Sequence, residues 1–430
     1  MDIKEIKTAL KNARECIREK QFKDALKHCK TVLAQDKNNY NALVFVGVAA
    51  DGMEQFDQAE KAYKRATEAA PDQVLAWQGL CGFYEKHGGH EQDLVNVYQK
   101  LQELYKGDEE KKNDVLRKLA DLDMKIGETS LAIPIYENLV KEEKNEDKKE
   151  KYMYKLEDIL RNEKSLSEEW KKLYLSTCDS LFELDPVQFI DTMSVVKFYV
   201  RCLLQMLYVG SKLEFKCKTL QLKFPNISYP TEILVVMAMD KHIGEKFPVL
   251  HPSMDNYIST ISKLTPDSSY LLAGQGYVQL CNKKFIEARD CLSRATDQLP
   301  KIPCIQYYHG LTLKHLHDFS GAERSCKMCL KTLERKDRVM TIPGSITSTV
   351  MVLQAEMLYE IGTDTSLQSA LEIIQQISDD VPTNLLKGQI YLKLNDLDNC
   401  EKCIHGESPE MIALSGCLLY HKNNYEDAVV

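Results

Sequence analysis

Two cysteine pairs carry the spacing of metal or redox sites. Cys326/Cys329 and Cys400/Cys403 are each Cys-x-x-Cys, with His315 and His317 upstream of the first. Structural zinc needs four converging ligands, whereas two thiols three residues apart on a helix merely share one face. The repeat register derived below puts Cys326 and Cys329 on a helix-packing seam, so they are read with Cys29 and Cys81 as reduced, buried thiols. Neither a metal nor a cofactor is expected. Catalytic motifs offer no alternative: there is no Gly-x-x-x-x-Gly-Lys loop, no Gly-x-Ser-x-Gly elbow and no His-Glu-x-x-His pair. Isolated histidines such as His28 and His309 are read as packing or surface residues, and the chain is not expected to be an enzyme.

One charged pattern remains. Lys4, Lys7, Lys11, Arg14 and Arg18 recur every three or four residues beside an apolar stripe of Ile3, Ile6, Leu10, Ala13 and Ile17. With Glu5, Glu15 and Glu19 nearby, the stripe is read as the solvated face of a terminal helix. The sharper alternative is contact with an acidic protein surface or an RNA backbone. The mixed-sign run from Lys141 to Lys151 is read as a solvated helix end or loop rather than a binding tail.

These residues sit on a repeating frame. Counting from Tyr40, Leu43 falls at position 4, Val46 and Gly47 at 7 and 8, Phe56 at 17, Ala59 at 20, Tyr63 at 24, Ala66 at 27 and Pro71 at 32. Starts at Ile6 and Val74 repeat the pattern with Ala13, Ala25, Cys29 and Val32, then with Trp77, Leu80 and Tyr84. A thirty-four-residue helix-turn-helix unit of this kind is the tetratricopeptide repeat. Small residues at positions 8 and 20 are a steric requirement where the two helices cross, which pairs Gly47 with Ala59, Gly276 with Ala288 and Gly310 with Ala322; Phe56, Phe285 and Phe319 fill position 17.

The expected fold is all-α, a tetratricopeptide solenoid of antiparallel helix pairs in a right-handed superhelix. Three segments are expected: regular repeats over 1–140, degenerate helical repeats over 141–266, and a second tetratricopeptide block over 267–430. In the middle segment periodicity survives in Trp170 to Leu184 and Val187 to Tyr208, and Pro186, Pro225 and Pro266 separate helix pairs of drifted length. Weaker units are anchored by Leu116, Ala120 and Ala132, by Ala355 and Ala370, and by Gly388 and Tyr391. The last unit, with Gly416 and Ala428, is expected to stop inside its second helix, which would begin at Tyr425-Glu426-Asp427-Ala428 and leave Ile412, Leu418, Leu419 and Val429 without a stacking neighbour.

At 430 residues a single core is not expected, and a solenoid needs none because each unit packs on its neighbours. A net charge of -8 argues against wholesale nucleic-acid wrapping. The longest clean apolar run, Ile233 to Met239, is far short of a membrane span, and Met1 to Lys20 is charged throughout, unlike a signal peptide. A cytoplasmic protein is expected, with a nuclear pool also compatible.

In such repeats positions 2, 5, 6, 9, 12 and 13 of the first helix face the concave groove. The candidate partner-binding residues are therefore Lys7, Leu10, Arg14 and Arg18, then Asn41, Val44 and Val48, then Gln78, Glu85 and Lys86. The carboxylate clamp of chaperone-tail receptors is absent, since its positions hold Leu10, Arg14, Phe45, Leu75 and Gly79. The asparagine ladder that another member of the class carries at position 6 is absent too, that position reading Lys11, Phe45, Gly79, Lys118, Gly274 and Tyr308.

The runs Lys7 to Arg14, Phe22 to Leu33, Lys37 to Ala42 and Pro71 to Leu80 resemble the N-terminus of the tetratricopeptide scaffold subunits of superkiller (Ski) complexes. The likeness is strong over about residues 1–105 and looser beyond. The resemblance implies a non-catalytic scaffold that works with a DExH-type RNA helicase and WD-repeat subunits to deliver messenger RNA to the cytoplasmic exosome for 3′-to-5′ decay. It also implies a regulatory N-terminal arm on a longer chain, with contact to the exosome and ribosome-associated mRNA only indirect, and no membrane or small-molecule substrate. The competing readings are an adaptor of another pathway, co-chaperone or trafficking, that captures a peptide segment, and the docking half of a larger enzyme.

Overall fold

The computed structural model describes residues 3–184, 188–206, 209–245, 248–335, 337–339, 346–377, 381–406, 408–425 and 427–428. The side chain of Ile3, together with Pro186, Val187, Tyr208, Glu426 and Val429, lies outside them. The described residues form helices joined by turns, with no strand among them. Two compact units emerge, Met1–Val187 and Gln188–Val430.

The first unit holds α1 (Ile3–Arg18), α2 (Phe22–Gln35), α3 (Tyr40–Gly52), α4 (Phe56–Ala69), α5 (Val74–His87), α6 (Glu91–Leu104), α7 (Glu109–Ile126), α8 (Thr129–Glu142), α9 (Glu146–Asn162) and α10 (Glu168–Phe182). The second holds α11 (Thr192–Gln205), α12 (Gly210–Lys223), α13 (Tyr229–Asp240), α14 (Met254–Leu264), α15 (Ser269–Cys281), α16 (Phe285–Gln298), α17 (Pro303–His315), α18 (Phe319–Leu333), α19 (Thr347–Ile361), α20 (Asp364–Ile374), α21 (Val381–Lys393), α22 (Leu397–Cys403) and α23 (Pro409–His421). Helices α4 and α16 end just before Pro71 and Pro300, as the repeat register requires.

One backbone feature marks the repeats more sharply than any side chain. Lys20, Glu54, Lys283, His317, Asn395 and Asn423 all have φ between 58° and 61°, and each is the fifteenth residue of its repeat. Gly88, Gly127 and Gly362 hold the same position with φ of 66°, 89° and 74°. The left-handed residue reverses the chain after the first helix, and the next amide donates back to the last turn: Gln21 N to Cys16 O at 2.8 Å, Gln55 N to Ala50 O at 2.9 Å, Lys284 N to Gln279 O at 2.9 Å. These are helix-terminating bonds of the six-to-one kind, which satisfy carbonyls the helix end leaves open.

The small residues sit at the helix crossings, and the structure refines which atoms they face. A Cβ added to Gly47 would stand 2.6 Å from the Tyr63 ring, and one added to Gly276 would stand 2.7 Å from Leu292. Both partners occupy position 24 rather than position 20. At Gly310 the contacts are the Ala322 carbonyl oxygen at 3.4 Å, Ser325 and the Cys326 sulfur at 3.5 Å. Tyr63 is enclosed from the far side as well, since a Cβ on Gly79 would approach it to 2.4 Å. Position 17 is not sealed: Phe56 is 43% exposed and packs at a tilt against His87, with ring centroids 4.3 Å apart. Phe285 makes the corresponding contact with His315, stacked with ring centroids 4.6 Å apart.

The second unit contains a helix of another kind. Every residue of α13 from Pro230 to Asp240 is buried, and α11, α12, α14, α15 and α17 pack around it. A helix apolar on all sides belongs inside a core, and the run Ile233 to Met239 supplies that surface. Its ends are tied by polar groups. Glu232 accepts from the hydroxyls of Ser228 at 3.0 Å and Ser268 at 3.0 Å, and the Tyr308 hydroxyl donates to the Met239 carbonyl at 2.8 Å.

At α23 two expectations change. Leu418 is buried, because it joins Met411, Leu414 and Cys400 in a core cluster; Ile412 is 56% exposed, as an unstacked face would be. Tyr425, Asp427 and Ala428 form turns instead of a helix. The register still holds, since a Cβ on Gly416 would stand 3.3 Å from the Ala428 carbonyl oxygen.

Candidate partner-binding groove

The helix pairs of the first unit leave a groove of about 1340 Å³. The first helices of three successive repeats line it: α5 with Gln78, Gly82 and Glu85, α7 with Asn113, Asp114, Arg117 and Lys118, and α9 with Lys148, Lys151 and Tyr152. Tyr98 and Leu101 of α6, with Tyr105 just beyond it, contribute aromatic and apolar surface. Gly82 keeps it open, since a Cβ there would meet nothing.

Hydrogen bonds fix the groove's polar groups. Glu85 accepts from the Tyr98 hydroxyl at 2.7 Å and from the Lys118 ammonium at 3.1 Å. Partial burial pushes the Glu85 carboxyl upward, but the bonds from Tyr98 and Lys118 together outweigh it and hold the group below its usual range. Burial first, then the Glu85 charge, pushes the neighbouring Cys81 thiol up to about 12, so it stays protonated and unreactive. Gln78 donates to the Tyr105 hydroxyl at 2.7 Å. Around these, Arg117 pairs with Asp114 at 2.9 Å and Lys111 with Asp108 at 2.7 Å. Asn113 Oδ1 is buried and has no hydrogen-bond partner among the described residues. Balanced charge and three tyrosines suit a peptide segment better than a polyanion.

Of the ten residues chosen from the register, Gln78 and Glu85 line this groove. Lys7, Arg14, Arg18 and Asn41 are exposed on α1 and α3. Lys86 is exposed but held by Asp51 at 3.2 Å. Val44 is a correction: it is 8% exposed and packs with Tyr40, Leu43, Ala66 and Ala76, so no partner can reach it. Its burial follows from Tyr40, whose hydroxyl receives the Ala76 amide at 2.8 Å and draws α5 over it. Leu10 and Val48 are half-buried: each packs in part on a core cluster, that of Ala9, Val32 and Ala42 and that of Tyr63 and Phe83, and keeps part of its surface exposed.

The groove residues of α7 and α9 lie outside the ten candidate positions. The register anchored by Ala120 already puts Asp114, Arg117 and Lys118 at positions 2, 5 and 6, so that signal was present. The run from Lys141 to Lys151 spans the end of α8, a short linker and the start of α9, as a solvated helix end does. Lys144, Lys148 and Lys151 within it also rim the groove.

Other chemistry-bearing groups serve packing. Cys326 and Cys329 are fully buried in α18, and the Cys329 thiol donates to the Pro303 carbonyl at 3.3 Å. His309 Nδ1 meets the Ser325 hydroxyl at 3.1 Å. Glu60, His90 and Asp93 converge in a way the sequence spacing does not reveal. The Lys64 ammonium stands there, 2.8 Å from Glu60 and 3.7 Å from Asp93, so a metal ion would have to displace it.

Fold and groove together define a tetratricopeptide-repeat protein, and the tetratricopeptide repeat family matches residues 17–82. Over its whole length the chain is homologous to superkiller complex protein 3. It is 33% identical over 453 residues to Superkiller complex protein 3 of Mus musculus and 31% identical over 448 to that of Homo sapiens. Tetratricopeptide repeat protein 37 of Xenopus laevis is 31% identical over 450 residues. All of this chain is covered in each case, and it spans 28% of the length of these relatives. Among solved structures, the APC/C hetero-tetramer Cut9-Hcn1 is similar at 12% identity with a TM-score of 0.34, covering 97% of this chain and 84% of that one. That likeness is too distant to carry an argument.

Proposed function

We propose that this chain is the N-terminal arm of the non-catalytic scaffold subunit of a Ski complex. On this reading it supports helicase-driven delivery of messenger RNA to the cytoplasmic exosome for 3′-to-5′ decay and mRNA surveillance. The carrying observation is homology to superkiller complex protein 3 along the entire chain, at 31–33% identity, rather than over a generic repeat. The groove of α5, α7 and α9 supports it as a surface for protein partners, and among the described residues no constellation of side chains argues for a reaction. The partners are a DExH-type RNA helicase and WD-repeat subunits, with the exosome and ribosome-associated mRNA engaged indirectly. The location is cytoplasmic, with a nuclear pool compatible.

Affinity purification of the full-length protein from its own cells tests this. The helicase and WD-repeat subunits should be recovered in stoichiometric amounts. Recovery of chaperones or trafficking factors in their place would replace the Ski assignment with the adaptor reading.

A further inference from the structure

The first helix differs from the groove-lining helices in how its charges are balanced. Lys7, Lys11, Arg14 and Arg18 fall at positions 2, 6, 9 and 13 of the first repeat, the face that in α5 and α7 lines the groove. All four are exposed. On α7 each lysine and arginine from Lys111 to Lys118 has a carboxylate partner within 3.1 Å. On α1 these four have no ion pair or side-chain hydrogen bond among the described residues.

The elements packed against α1 do not supply the missing charge. Helices α2 and α3 are its neighbours. Asp24 of α2 is engaged by Lys27 at 2.8 Å. Asp51 of α3 is engaged by Lys86 at 3.2 Å and His87 at 2.7 Å. At 3.6 residues per turn the four cations occupy an arc of about 60° and run about 17 Å along the axis. Glu15 and Glu19 flank the arc on one side, and the apolar stripe flanks it on the other. On the neighbouring α3 the corresponding positions 6 and 9 hold Phe45 and Val48, both half-buried.

We propose that the concave face of the first two repeats docks an acidic amphipathic segment of a partner protein, with carboxylates on Lys7, Lys11, Arg14 and Arg18 and apolar side chains on Phe45 and Val48. A single row of cations bordered by an apolar ledge matches one row of carboxylates bordered by apolar residues. A nucleic-acid backbone fits less well: Glu15 and Glu19 border the row, and the facing positions of α3 bring Asn41, Phe45 and Val48 rather than a second row of cations. The proposal deepens the reading of this chain as a partner-holding arm, and only the partner's origin rests on that reading.

The test uses the 430-residue chain and three fluorescent probes. These are a helical peptide of about five turns with glutamates along one face and leucines beside them, the same peptide with glutamine for glutamate, and an oligouridine of similar length. Anisotropy titration should show the glutamate peptide binding at least about tenfold more tightly than either other probe. Lys7→Glu, Lys11→Glu and Arg14→Glu combined should weaken it by about tenfold or more, and the glutamine versions of the same three substitutions by less. Both variants should keep the parent helicity, because the three side chains are exposed. Three outcomes overturn the proposal: no binding of the glutamate peptide, binding indifferent to the substitutions, or oligouridine binding tighter than the peptide and lost in the variant. Any of these leaves co-purification with the helicase untouched. Peptide binding without helicase recovery would instead remove the scaffold assignment and keep the docking face.

Discussion

In the second and third repeats one ring, Tyr63, lies between Gly47 and Gly79; in the second unit one helix, α13, is buried along its length by five others. The first arrangement is a chain of pairwise crossings. Each needs a small residue, a large one and a tight turn, and each can be copied thirty-four residues later. The second gathers several helices around one apolar rod, so that α11, α12, α14, α15 and α17 share a common core with it. Damage should therefore stay local in the repeats and spread around α13.

The strongest way to break that contrast is a charge in the rod. Val236→Asp should cost about 4 kcal/mol or more, because the carboxylate would be buried without a partner, and hydrogen exchange should rise together across α11 to α15 and α17. Exchange confined to α13 would contradict a shared core. In the repeats, Gly47→Val should cost about 1–3 kcal/mol by overpacking against Tyr63. The exchange should be limited to α3, α4 and α5, and Tyr63→Leu in the same chain should recover part of the loss in urea denaturation.

Smaller changes sharpen the comparison at the turns. Lys283→Gly and His317→Gly should each stabilise by roughly 0.5–1 kcal/mol, since a side chain at positive φ is strained; Gly127→Lys should destabilise by a similar amount. A null result in all three would mean that the turn is held by packing rather than backbone preference.

The smallest effect is electrostatic. The Glu85 carboxyl is held below its unfolded value by Tyr98 and Lys118, so its contribution is fully present above the unfolded pKa of about 4.3. It fades as the pH falls through the lower folded value. Because the side chain is 35% exposed, the effect should stay below about 1 kcal/mol. Denaturation of the parent chain and Glu85→Gln should differ above that window and converge below it.

What could be read in the sequence follows the same division. Gly47, Gly276 and Gly310 announce their crossings because sterics there tolerate little else, and Pro71 and Pro300 announce the helix ends. The left-handed turn was legible only where glycine or asparagine holds it, as at Gly88, Gly127, Gly362, Asn395 and Asn423; Lys20, Glu54 and Lys283 are residue types with no preference for positive φ. Ile233 to Met239 was visible as an apolar run, but all-round burial has no periodicity to show which helices surround it. In the groove, position numbers found Gln78 and Glu85 and misjudged Val44, since an apolar residue at a groove position sinks into the seam when a neighbour such as Tyr40 can cover it. The lysines of α9 escaped because their repeat has drifted from the consensus.

The proposal that the groove of α5, α7 and α9 holds a partner in a Ski-type assembly has a direct test. Amine crosslinking and mass spectrometry of the purified full-length assembly test it most directly. Lys111, Lys118, Lys148 and Lys151, which line the groove, should carry intersubunit crosslinks more heavily than Lys30 and Lys61 on the second helices of their repeats. Crosslinks to other subunits from Lys30 and Lys61, with the groove lysines linked only within this chain, would contradict the account.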